Sequence, residues 1–245
     1  VKRVKRIIFF DGISSEDMGV DLNVIGSFQR PERDVETVDV PGRNGSLIID
    51  NARYKNVSIT YGCKIWRKTT EEFRNAYDAF ADFLLLHQSS YYRLEDSGDP
   101  DHYRLARYSG GIEPDVTESW DGARFAEFDI EFDCKPQGYR VDGDQMRQFT
   151  SGSTLYNPTR HTASPLIRVY GTGAVTIGDV IVNIASGASS YVDLDCDLHM
   201  AYEGPENRAQ IVTLNDWPAL SPGINAVSYD STIMQVEIMP RWWDL

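Results

Sequence analysis

No apolar stretch in this sequence is long enough to cross a bilayer. The N-terminal candidate, Ile7-Ile8-Phe9-Phe10, falls far short of the ~20 residues a spanning helix needs and of a signal-peptide core. A soluble chain, neither inserted in a membrane nor exported by the ordinary route, is expected. Cysteine is scarce as well. Cys63, Cys134 and Cys196 are the three present, widely spaced and without a CxxC pair, which argues against a disulfide framework or a zinc knuckle. Cys63 and Cys134 fall on apolar faces of strand patterns and read as buried free thiols of a reducing compartment. Cationic side chains are the third shortage. Lys and Arg number 24 against 37 Asp and Glu, for a net charge of −13. Such a surface lacks the positive charge that releases counterions from a phosphate backbone, so sequence-specific nucleic-acid and anionic-membrane ligands are disfavoured. The one cationic run, Lys2-Arg3-Lys5-Arg6, reads as a solvated segment.

Catalytic and cofactor signatures are missing too. No GxSxG, HExxH or Walker sequence occurs. Gly171-Thr172-Gly173 lacks the third glycine and the following helix of a dinucleotide site. Asp193-Leu194-Asp195-Cys196-Asp197 opens like a calcium loop. However, Leu198 stands where glycine is needed for the turn, and Gly204 where a bidentate Glu belongs. His87, His102, His161 and His199 are scattered, and nothing favours a triad assembled from them. Asn56-Val57-Ser58 matches a glycosylation sequon by chance, on a strand of a non-exported chain. No metal and no cofactor are expected.

What is present is organised around Val40–Trp66. Pro41-Gly42 and Asn44-Gly45 put two turn signals side by side. Proline presets φ at the first turn position and glycine accepts the positive φ of the next. Leu47-Ile48-Ile49 follows, and Asp50-Asn51 is expected to turn the chain again. Then Val57, Ile59, Tyr61, Cys63 and Ile65 alternate with polar residues, a half-buried strand. The run between the turns reads as a projecting loop or hairpin with Arg43, Asn44, Arg53 and Lys55 at its base. An ordinary surface hairpin accounts for it; so does a loop with a fitted partner, because so much of its backbone is specified.

At 245 residues one or two domains are reasonable. Val4–Phe10 and Val20–Val24 read as strands, and Gly26–Glu36 as a mostly polar loop. Thr69 to Glu72 has capping-box spacing. Phe73, Ala76, Tyr77, Phe80, Phe83, Leu84 and His87 then form one apolar stripe, so a helix over about 69–87 packs on a sheet. Tyr91–Leu94 and His102–Tyr108 flank a turn at Ser97–Pro100. Glu113-Pro114-Asp115 reads as a loop, and Asp121-Gly122 as a hairpin turn. Along Arg124–Lys135, Ala126, Phe128, Ile130, Phe132 and Cys134 face one way, and Glu127, Asp129, Glu131 and Asp133 the other. That acidic row fits a solvated face, a face toward a basic partner or an aqueous lumen, or a metal or glycosidase site. Metals want ligands converging from several segments, and hydrolysis wants two carboxyls flanking a cleft. Gly, Ser, Asp and Pro crowd the stretch after Pro136, marking a domain boundary with a connector at 140–157. Beyond it lie short strands with turns and no helix signal: Leu166–Tyr170, Val175–Ile177, Val180–Ile184, Tyr191–Leu194, Ile211–Leu214, Ile224–Tyr229 and Ile233–Ile238. Such spacing predicts a β-sandwich or jelly roll. The fold is thus mainly β with one helix: an α+β, sandwich-type N-terminal domain over 1–139 and a second β-sandwich over 158–245.

Several phrases, in this order, resemble the distal tail protein family of long, non-contractile-tailed bacteriophages. They are Val40-Pro41-Gly42-Arg43-Asn44-Gly45, the helix Phe73–Leu86, Phe132-Asp133-Cys134-Lys135-Pro136, Pro165–Gly171, Asp195-Cys196-Asp197, Asp216–Asn225 and Pro240-Arg241-Trp242-Trp243. Relatives often have glycine after the connector, where Asn157-Pro158-Thr159 stands here, and some carry an inserted carbohydrate-binding domain that no connection here can hold. The resemblance implies a non-enzymatic virion protein, assembled in the host cytoplasm, that forms a homo-hexameric ring at the tail tip. Its N-terminal half would form the ring below the tail tube protein, around a channel for DNA. Its C-terminal half would be a galectin-like sandwich facing outward and holding a tail-associated lysin-type protein or a receptor-binding protein. Under that implication the acidic row lines the channel, where carboxylates repel phosphate. The loop Pro41, Gly42, Arg43, Asn44, Gly45 would touch the adjacent subunit or the tail tube, with Arg43 paired to a carboxylate there. Two rivals remain: a carbohydrate-binding module using Trp217, Trp242 and Trp243, and a tail-associated hydrolase using the acidic row.

Overall fold

The computed structural model describes residues 6–24, 30–118, 123–187 and 190–245. The chain divides into two compact units, residues 1–138 with Leu245, and residues 139–244. Each has its own core. One runs from Ile8 to Cys134 and the other from Leu155 to Trp242, with no residue shared.

In the first unit the strands are β1 (Ile8–Phe10), β2 (Ile13–Ser14), β3 (Asp21–Val24), β4 (Arg33–Asp39), β5 (Ser46–Tyr54), β6 (Val57–Arg67), β7 (Tyr92–Asp96), β8 (Asp99–Tyr108), β9 (Asp115–Glu118) and β10 (Arg124–Arg140), with helix α1 (Thr70–Leu86) after β6. One sheet runs β2-β1-β7-β8-β10-β6-β3, with β9 beside β10. A bridge between Arg6 and Leu22 brings its two ends together. β6 and β10 form its backbone, in antiparallel register from Arg124 opposite Arg67 to Cys134 opposite Val57. Both strands alternate as the sequence predicts, so Tyr61, Cys63, Ile65, Phe128, Ile130 and Phe132 share one buried side. The helix begins where its cap lies: Thr69 Oγ1 accepts the Glu72 N–H at 3.2 Å. Its Phe80 and Tyr77 rings meet Phe128, and Phe83 meets Phe10 edge-on at 6.0 Å.

Three sequence expectations change in this unit. Arg33–Asp39 is a strand, because it pairs with β5 in a separate two-stranded hairpin. Asp50-Asn51 does not turn the chain. β5 runs through it, and the irregularity is absorbed by a register shift opposite and by Ala52 at φ +56°. Arg43 and Asn44 therefore stand at the hairpin's tip; only Arg53 and Lys55 lie at its base. Asp115–Glu118, expected to open in a loop, pairs with β10 instead. Lys2, Arg3, Val4, Lys5, part of the 26–36 loop and the Asp121-Gly122 turn lie outside the described residues.

In the second unit the strands are β11 (Arg147–Phe149), β12 (Ser153–Asn157), β13 (Leu166–Gly171), β14 (Gly173–Ile177), β15 (Val180–Ile184), β16 (Val192–Asp195), β17 (Met200–Glu203), β18 (Glu206–Asn207), β19 (Val212–Leu214), β20 (Gly223–Tyr229), β21 (Ile233–Met239) and β22 (Trp243–Asp244). All but β22 form two antiparallel sheets, β11-β21-β13-β16-β17-β18 and β12-β20-β14-β15-β19. Inward residues of both, among them Ile167, Val169, Val236, Val175, Val182 and Val227, make one core. The stretch expected as connector carries β11 and β12, which pair with β21 and β20. Its polar, glycine-containing composition belongs to short edge strands, each paired on one side only, and to the turns around them.

Candidate assembly surfaces

Nearly every residue of the β4–β5 hairpin is exposed. Val38 lies opposite Leu47, and Glu36 opposite Ile49, so Val38, Leu47 and Ile49 share one face. Ile48 and Thr37 occupy the other. All are exposed, Ile48 to 66%, and an isolated two-stranded hairpin is marginal in water. Ion pairs hold its base. Arg33 takes Asp50 through Nε and Nη2 at 2.9 Å each, Arg53 takes Asp34 at 2.6 Å, and Lys55 reaches Glu32 at 3.7 Å. Arg33 holds the Asp50 carboxyl below its ordinary range, and Arg53 does the same for Asp34. At the tip, Gly42 and Gly45 both adopt φ +81°, and the Arg43 N–H donates to Val40 O at 3.1 Å. Arg43 makes no ion pair among the described residues. The sequence signalled the turn through Pro41, Gly42 and Gly45. It signalled the apolar face only weakly, through Val38 and Leu47-Ile48-Ile49.

The acidic row occupies the side of β10 turned away from the core, as its alternation predicts. Its members are not alike. Glu127 pairs with Lys64 at 3.1 Å, Glu131 accepts from the Ser58 hydroxyl, and Asp133 accepts from Arg107 at 2.9 Å and from the Asn56 amide at 2.8 Å. Asp129, opposite Gly62, makes no ion pair among the described residues. Asp115 extends the row onto β9, facing Glu127. These carboxylates lie side by side on one sheet surface and do not converge. No cluster of His, Cys, Asp or Glu able to hold a metal occurs among the described residues.

The cysteines offer no chemistry. Burial pushes the Cys134 and Cys196 thiols up to about 12 and that of Cys63 higher still, which leaves them unreactive. Trp217, Trp242 and Trp243 do not form a sugar platform. Trp242 is buried against the core, Trp243 is stacked on His161 at 4.3 Å, and Trp217 lies parallel to His199 at 5.4 Å.

In the second unit, four carboxylate and guanidinium groups form a feature the sequence conceals. β16 reads Val-Asp-Leu-Asp, an alternation that predicts exposed aspartates, yet all four residues are buried. Arg168 covers Asp193 through bonds of 2.7 and 2.8 Å, and Arg241 covers Asp195 through bonds of 2.9 and 3.0 Å. Asp195 Oδ1 also accepts the N–H groups of Asp197 and Leu198 at 3.1 Å each. These bonds fix a turn in which His199 takes φ +54°. Three phrases that carry the family resemblance meet here, and their residues serve the architecture.

Residues 14–134 match the phage tail protein RIFT-related domain family. No curated protein matches significantly. Among solved structures, the Dit protein (gp 19.1) of phage SPP1 shares the fold with a TM-score of 0.68 and 15% identity, over 98% of this chain and 99% of that one. That protein is described as a paradigm of the hub adsorption apparatus in phages infecting Gram-positive bacteria. Family and fold are those of structural tail proteins, not of an enzyme family, and no helix among the described residues is long and apolar enough to cross a membrane. Residues 14–134 thus carry a domain of a phage tail protein family, and the whole length shares the fold of the SPP1 Dit protein.

Proposed function

We propose that the protein is a non-catalytic, homo-hexameric hub at the tail tip, assembled in the host cytoplasm and joining the tail tube to tail-tip components. The N-terminal unit closes the ring. The C-terminal unit holds a tail-associated lysin-type or receptor-binding protein. The observation that carries the reading is the hairpin, an arm whose apolar residues stay uncovered in the single chain. Closed rings form through heterologous contacts, in which one patch of a subunit meets a different patch on its neighbour, and a projecting arm supplies one half of such a contact. The acidic row of Glu127, Asp129, Glu131 and Asp133 supports a second element of the reading, a channel wall that lets DNA pass without gripping it. Native mass spectrometry across a range of concentrations tests the hub. A six-subunit mass is expected, and a chain that stays monomeric at every concentration, even with the tail tube protein added, overturns it.

A further inference from the structure

We propose that the apolar face of each hairpin seats in a groove on the next copy's N-terminal unit, between α1 and the segment after β2; this rests on the ring reading. The groove encloses about 430 Å³ and is lined by Ile13, Met18, Ala76, Ala79, Phe80 and Phe83. Its floor follows from the helix pattern. Ala76, Ala79, Phe80 and Phe83 recur at the spacing of one helical face, and the two alanines leave room for another backbone to come close. Phe80 is buried, whereas Ala79 and Ile13 are exposed, so the groove is apolar and open at once. Arg67 closes one side, its Nη2 donating to Gly19 O at 3.2 Å; a side chain at Gly19 would run into that guanidinium.

The occupant is a second copy for two reasons. The same unit carries the uncovered Val38, Leu47 and Ile49 face, so one surface supplies the apolar insert and the other the apolar socket. Charge agrees as well. Copies of a chain with net charge −13 repel, and contact needs a local attraction of opposite sign. The tip presents Arg43, which has no ion pair among the described residues. The groove's rim presents Asp17, an exposed carboxylate whose bonding here is to the Ser14 hydroxyl at 2.6 Å. Insertion of the hairpin brings these two together.

Engineered cysteines test the contact, because a disulfide demands Cβ atoms within about 4.5 Å and the native thiols are buried. The full chain carrying Leu47→Cys with Ala79→Cys is oxidised and run on a denaturing gel, and its ring is measured under reducing conditions by native mass spectrometry. A covalent ladder climbing to the ring mass is expected. Ile48→Cys with Ala79→Cys places the first thiol on the opposite hairpin face and should leave monomers. A reduced ring without a ladder overturns this inference and leaves the hub intact, as does a crosslink closed within one chain or an equal ladder from the Ile48 pair. Absence of a ring overturns the hub reading itself.

Discussion

Arg241 grips Asp195 through two parallel hydrogen bonds, Nη1 to Oδ1 at 2.9 Å and Nη2 to Oδ2 at 3.0 Å, across 46 positions of sequence. The Asp195 side chain is only 5% exposed. Burial works against its charge, but the Arg241 fork and the Leu198 and Asp197 N–H groups outweigh it, and the carboxyl is held below its usual value near 3.8. Arg241 itself sits at φ +56°, a conformation that a non-glycine residue keeps only when its surroundings enforce it.

A pH dependence follows. With a depressed folded-state pKa, the pair contributes stability that is fully present above about pH 4 and is lost as pH falls through the lower folded value. Asp195→Asn leaves the guanidinium without its counter-charge and should cost the second unit about 3 kcal/mol at neutral pH. It should also flatten the acid limb. Urea unfolding of both forms between neutral and acid pH, followed by near-ultraviolet circular dichroism, measures both effects.

Charge reversal at the hairpin tip separates assembly from folding. Arg43 is exposed, so Arg43→Glu should change monomer stability by less than about 0.5 kcal/mol. At the contact with the next subunit it replaces an attraction by a repulsion, and breaking a desolvated interface charge pair costs about 2–5 kcal/mol. Native mass spectrometry should show subunits in place of rings while circular dichroism stays unchanged. A full ring of unchanged stability would assign the tip to the tail tube instead.

The acidic row is tested by reversing it. Asp129→Lys with Glu131→Lys changes the local charge by four, on side chains that are exposed. The parent ring should not retain duplex DNA at physiological salt. The variant ring should bind it, with an affinity that falls steeply as salt rises because bound counterions are released. Fluorescence anisotropy of a labelled duplex gives both readings, and equal behaviour of the two proteins would remove the row from the channel wall.

The two units are proposed as separate folding units. Residues 1–138 and 139–245, expressed apart, should each unfold cooperatively, since their cores share no residue. Scanning calorimetry checks this, and a half that shows no transition would refute it.

Where one face of a strand is buried and the other is not, the sequence is sufficient. β6, β10, β13, β14, β15, β20 and β21 lie within a few residues of where alternation puts them, and the α1 stripe carries its aromatic rings onto the sheet. Burial of one face imposes a period of two or of 3.6 on neighbouring residues, so the signal is local. The acidic row was legible for the same reason. So was the turn at Pro41, Gly42 and Gly45, because glycine meets the need for positive φ within the turn itself.

The tertiary structure alone decided the rest. β4 has exposed residues on both faces, so no burial period marks it, and its pairing with β5 overrides the turn tendency of Asp50-Asn51. β9, β11 and β12 include edge strands, whose backbone pairing costs little in composition and leaves little trace in it. Asp193 and Asp195 read as surface residues and are buried, because Arg168 and Arg241 arrive from distant parts of the chain to neutralise them. Periodicity encodes which way a side chain faces relative to its own strand. What covers that face depends on long-range packing, and no local pattern carries it.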